Sequence, residues 1–167
     1  MIPNFVQRIV EQVGLWASTT TLARWINNWE WAVPIFTVTH VFGLILLIGS
    51  AFVIALRCFG LALRRDSASA IIRAFSPATL GGLLLSTVSG ALIFTGGPAN
   101  YVHHRYFLLK MMTYTAALVT QLTVWGMALR DDGGERLVSP KWMVMGGLAF
   151  VLWVTVAVFG RSIAFFG

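Results

Sequence analysis

Charge is what this sequence has least of. Only 11% of its 167 residues are Asp, Glu, Lys or Arg, against about a quarter in a soluble domain. Cysteine is scarcer still: Cys58 stands alone, which excludes an intramolecular disulfide and any CxxC redox or metal motif. The six acidic residues all lie outside the long apolar runs. No carboxylate is therefore placed at membrane depth, which weakens ion-coupled transport, and hydrolase chemistry built on a Ser/His/Asp set is excluded. No basic stretch followed by an apolar core occurs between Met1 and Gly14, so no cleavable signal is expected and the first spanning segment is expected to direct insertion. What is abundant is apolar surface, with 57% hydrophobic residues and a mean hydropathy of +0.79. Lipid is the solvent such a chain is built for. The net charge of +6 comes from basic residues scattered between apolar blocks, without the stripe that grips phosphates, and this argues against a nucleic-acid partner.

Four apolar blocks, Val33 to Leu56, Leu80 to Thr95, Tyr106 to Leu129 and Trp142 to Gly160, approach or exceed the roughly 20 residues a membrane helix needs; the second does so once Pro77 to Thr79 and Gly96 are counted. The expected fold is all-α, an integral membrane four-helix bundle over residues 31–167, preceded by an amphipathic interfacial segment over residues 1–30. In that segment Phe5, Val6, Ile9, Val10 and Val13 recur at helical spacing, Ser18 to Thr21 interrupt, and Leu22 to Asn28 follow. The spacing predicts two short helices, either in the membrane interface or packed as a lid over the bundle; Trp16, Trp25, Trp29 and Trp31 suit an aromatic belt there. Arg57, Arg64, Arg65, Arg73, Arg130, Arg136 and Lys141 fall on one side, against Arg8, Arg24, Arg105, Lys110 and Arg161 on the other. By the positive-inside rule the first set faces the cytoplasm and both termini face the periplasm of a bacterial inner membrane. Asp131 to Glu135 read as a solvated turn. Ala78, Gly82, Ser86 and Gly90, each four apart, predict close helix packing.

Ionisable residues inside a bilayer are costly, and His40 and Lys110 are the two that need a reason. Both belong to the outer half of their spans. His103, His104 and Arg105 open the third span and Arg161 ends the fourth, so ionisable groups from three spans gather at one end. An imidazole on one helix, a second at a facing helix end and cations near water suit a b-type heme: His40 as one ligand, His103 or His104 as the other, and Arg105, Arg161 or Lys110 for the propionates. If the third helix begins before His103, that residue shares a face with Lys110; if it begins at Arg105, the loop decides between the two histidines. Three histidines limit the chain to one bis-histidine heme and exclude a two-heme relay across the membrane. A copper-handling or transport protein using His40, His103, His104 and Met111 is the alternative, and a structural anchor for a larger enzyme a third. Met112, Met127, Met143 and Met145 read as core packing.

Leu22-Ala23-Arg24-Trp25, Trp31, Pro34, His40 with Gly43, Leu56-Arg57-Cys58-Phe59-Gly60-Leu61, Thr95-Gly96 and Tyr106-Phe107-Leu108-Leu109-Lys110-Met111 together resemble a family of short bacterial inner-membrane proteins built on a domain of unknown function. Its pattern is a Trp and Pro before a membrane His-x-x-Gly, a Leu-Arg-x-x-Gly at the inner end of that helix and a Phe-x-x-Lys opening the third. The likeness runs over about residues 22 to 130. Leu108-Leu109-Lys110 is also similar to the Leu-x-Lys of copper-resistance D-type membrane proteins. His40 and Lys110 are similar in placement to the His and Lys of the HemJ-type membrane protoporphyrinogen oxidases, which bind heme b. That resemblance implies heme at His40. The second HemJ-type histidine is replaced here by Thr120-Gln121-Leu122-Thr123-Val124-Trp125, which argues against porphyrinogen oxidation. The sequence thus predicts a small b-type cytochrome that exchanges electrons with quinone, a periplasmic redox protein or a larger membrane complex.

Overall fold

A computed structural model describes residues 4–131 and 139–165. Within them the chain is all-α: α1 (Asn4–Ser18), α2 (Thr21–Asn28), α3 (Ala32–Cys58), α4 (Ala68–Gly96), α5 (Ala99–Val102), α6 (Arg105–Arg130) and α7 (Pro140–Phe165). Helices α3, α4, α6 and α7 are long and apolar enough to cross a membrane. At 1.5 Å per residue they run about 39 to 44 Å, more than the roughly 30 Å hydrocarbon core. The chain is a multi-pass membrane protein.

The second span is longer than its apolar block suggests, because α4 begins at Ala68 and passes through Pro77. Ser67 caps its start, the hydroxyl accepting from the Ala70 amide at 3.1 Å and so satisfying one of the amides a helix leaves unpaired there. Arg73 therefore lies in a helix rather than a loop, and its Nη2 donates to the Asp131 carbonyl at 3.0 Å. Arg57 is also no loop residue: it sits in the last turn of α3, 1% exposed, where its Nε donates to the Asp66 carbonyl at 2.6 Å. A cation there complements the carbonyl end of the helix and fastens the connection to α4. Arg136 and residues 132–135 of the expected turn lie outside the described residues.

Packing is dense in one half of the bundle and open in the other. Toward the Arg57 end, here the basic end, Ile54, Cys58, Ile72, Val124 and Trp142 form a buried cluster. At mid-depth Leu47, Leu83, Ala117, Trp153 and Val156 form a second, with Trp153 Nε1 donating to Gln121 Oε1 at 3.2 Å. Helices α3 and α4 touch backbone to backbone: a Cβ on Gly43 would stand 2.5 Å from the Ser86 nitrogen, and one on Gly82 2.6 Å from the Leu47 nitrogen. The small-residue stripe is thus a packing face, as its spacing predicts. At the opposite, histidine end the bundle opens, and α1 and α2 lie across it. Gly14 faces Val102, Pro98 and Phe94, while Ile26 meets Gly96. Trp16, Trp25 and Trp31 remain exposed, so the two short helices form a lid whose far side presents aromatics.

Candidate functional site

Four-residue spacing along α4 lays Gly82, Ser86 and Gly90 toward α3, and at Gly90 the contact changes from backbone to side chain. A Cβ on Gly90 would stand 3.0 Å from Cε1 and 3.2 Å from Nδ1 of His40, so the missing side chain leaves room for the imidazole. His40 Nδ1 lies 2.7 Å from the Ser86 carbonyl and 3.3 Å from Ser89 Oγ. A carbonyl only accepts, so Nδ1 carries the proton and the neutral ring keeps a lone pair on Nε2. Among the described residues that nitrogen has no hydrogen-bond partner. A histidine held through Nδ1–H to a carbonyl, with Nε2 left bare, is the arrangement that metal-ligating histidines share.

His40 borders a cavity of about 660 Å³, with Asn100, Tyr101, His104, Lys110 and Arg161 also on its walls. Helix α6 begins at Arg105, so the loop decides between the two histidines, and it separates them. His104 is the N-cap of α6 but makes no capping bond, and both of its ring nitrogens are buried without a partner. Leaving such groups unsatisfied costs about 1–3 kcal/mol each. His103 faces the other way: its side chain is 70% exposed, with Nδ1 3.6 Å from Glu11 Oε1 and 3.4 Å from Gln7 Nε2 of the lid.

Of the cations, Lys110 and Arg161 line the cavity. Lys110 Nζ would be 3.3 Å from a Cβ on Gly160, and Arg161 lies over the Phe165 ring at 4.5 Å. Arg105 is exposed, over the Tyr106 ring at 5.0 Å, outside the cavity lining. Phe94 and Phe107 stack at 5.4 Å with 7° between planes, and Tyr101 leans on both. These walls suit a flat apolar ring. Among the described residues no three His, Cys, Asp or Glu gather to hold a metal. Met111 borders a neighbouring space rather than the one His104 lines. His40, His103, His104 and Met111 are therefore not brought to one point.

Ser86 and Ser89 as partners of His40, Asn100 and Tyr101 at the rim and the Phe94–Phe107 stack are additions to the sequence-derived set. The signal for them in the sequence is the pair of serines three apart beside Gly90. Comparison with family models, with curated proteins and with solved structures finds no match to this chain.

Proposed function

We propose that this protein is a small membrane b-type cytochrome with a single heme between His40 and His104. The observation that carries the reading is the pairing of a bare Nε2 on His40 with the two unpartnered ring nitrogens of His104 on one cavity. The residues fit the group: two neutral imidazoles, aromatic walls, glycine at position 90 where a side chain would meet the ring of His40, and Lys110 with Arg161 to neutralise propionates. When bound, the iron porphyrin supplies a one-electron couple. Ser86 fixes the tautomer and the plane of His40, and α1 and α2 cover this end of the bundle. The resemblance of the His40 and Lys110 segments to heme-binding HemJ-type proteins supports the same assignment. Electrons are exchanged with quinone or with a periplasmic redox partner, since the site lies at one end of the bundle.

Two results test this reading. Lys110→Met is expected to retain heme and lower its midpoint potential by roughly 50 to 100 mV in a redox titration, because a nearby positive charge favours the reduced state. An unchanged potential would remove Lys110 from the site. The orientation that places the histidine end toward the periplasm follows from the basic residues between Arg57 and Arg73. Reporter fusions after Ser67 and after Gly133 are expected to report cytoplasm, and a periplasmic signal at either reverses the topology.

A further inference from the structure

We infer that the slot between α4 and α6, which adjoins the histidine cavity, binds the ring of a membrane-dissolved quinone or its quinol. The slot is a cavity of about 310 Å³, at the lower end of the range for small-molecule pockets. Thr87 and Ala91 of α4, Met111 and Tyr114 of α6, and Ile9 and Val13 of the lid border it. Thr87, Ala91, Ile9 and Val13 are all exposed, so the slot opens on the lateral surface of the bundle. What reaches it comes from the lipid.

His40, Ser86 and Lys110 also border the slot, and at its exposed edge a pair of hydroxyls selects the ligand. Thr87 Oγ1 lies 2.7 Å from the Tyr114 hydroxyl and 2.6 Å from the Leu83 carbonyl. Thr87 has one hydroxyl proton and two acceptors for it. With that proton on the Leu83 carbonyl, Tyr114 donates to Thr87 and turns a lone pair to the slot. With it on Tyr114, the phenolic O–H is free to donate. The same point on the wall thus accepts from a hydroxyl in one state and donates to a carbonyl in the other. A quinol oxygen presents the first and a quinone oxygen the second, whereas an acyl chain uses neither. Trp153 braces the phenol edge-on at 5.7 Å. His40, Leu44, Gly90, Phe94, Phe107 and Lys110 border both this slot and the histidine cavity, so a ring here lies against the side chains that wall that cavity. The choice of a redox-active ligand rests on the electron-exchange reading; the slot itself is formed by protein alone.

The test is equilibrium binding of a decyl-substituted benzoquinone, oxidised and reduced, to the full chain in phosphatidylcholine nanodiscs, with heme measured on the same sample. Saturable binding of both forms is expected. Tyr114→Phe is expected to weaken it about threefold to tenfold, the effect of one lost hydrogen bond. Ala91→Trp, at an exposed position, is expected to fill the slot and abolish it. Binding that never saturates, or that is unchanged in Tyr114→Phe, overturns the inference even if Ala91→Trp fails to fold. Saturable binding without heme leaves this site standing and removes the cytochrome; heme without saturable binding does the reverse.

Discussion

His40→Ala is expected to reduce heme retention to background while the four spans stay folded. The iron–imidazole bond is what holds a b-type heme, and the His40 ring is the one whose lone pair is fixed by a carbonyl partner on the facing helix. His104→Ala is expected to convert a low-spin spectrum to a high-spin one with partial loss of heme. His103→Ala is expected to leave the spectrum unchanged, because that side chain is exposed and turned to Glu11. Absorption spectra of the three purified variants, normalised to protein, check the set. Equal spectra for His103→Ala and His104→Ala would contradict the separation seen at the start of α6.

Much of this arrangement is written in local sequence. Block length and composition give four spans because in lipid the backbone must satisfy itself within each helix. The polar break at Ser18 to Thr21 divides α1 from α2, since Thr20 is free to cap, its hydroxyl accepting from the Ala23 amide at 3.2 Å. What is not local is not legible. Whether His103 or His104 turns inward depends on one residue of helix start and on the path of the Gly97–Pro98 turn. The start of α4 at Ala68 is hidden in the sequence because Ser69, Arg73, Ser76 and Pro77 interrupt its apolar run, although packing of Ala68, Ile71 and Ile72 in the buried cluster with α3 and α6 makes these turns helix. Arg57 reads as a loop charge for the same reason: only the returning chain supplies the Asp66 carbonyl that lets a guanidinium be buried there. The partner of His40 is likewise invisible in sequence, since it is a backbone carbonyl 46 residues away.

Gly82→Leu is expected to be strongly destabilising. A Cβ there already stands 2.6 Å from the Leu47 nitrogen and 2.7 Å from the Gly43 carbonyl oxygen, and backbone cannot move aside as a flexible side chain can. Overpacking of an ordinary core costs about 1–3 kcal/mol; with backbone on the far side the loss here exceeds that range. Close approach of small residues is a main source of helix association in lipid, where hydrophobic force between spans is absent. Thermal unfolding in detergent is expected to show a large drop in Tm or no folded protein. Gly81→Leu, at an open position one residue away, is expected to be tolerated. Equal stability of the two variants would place the α3–α4 contact elsewhere.

The central claim is that the chain carries one heme b, and the pyridine hemochrome assay on protein purified from cells with ample heme tests it most directly. A Soret band and close to one heme b per chain are the expected result. A folded preparation with no Soret absorbance would contradict the claim.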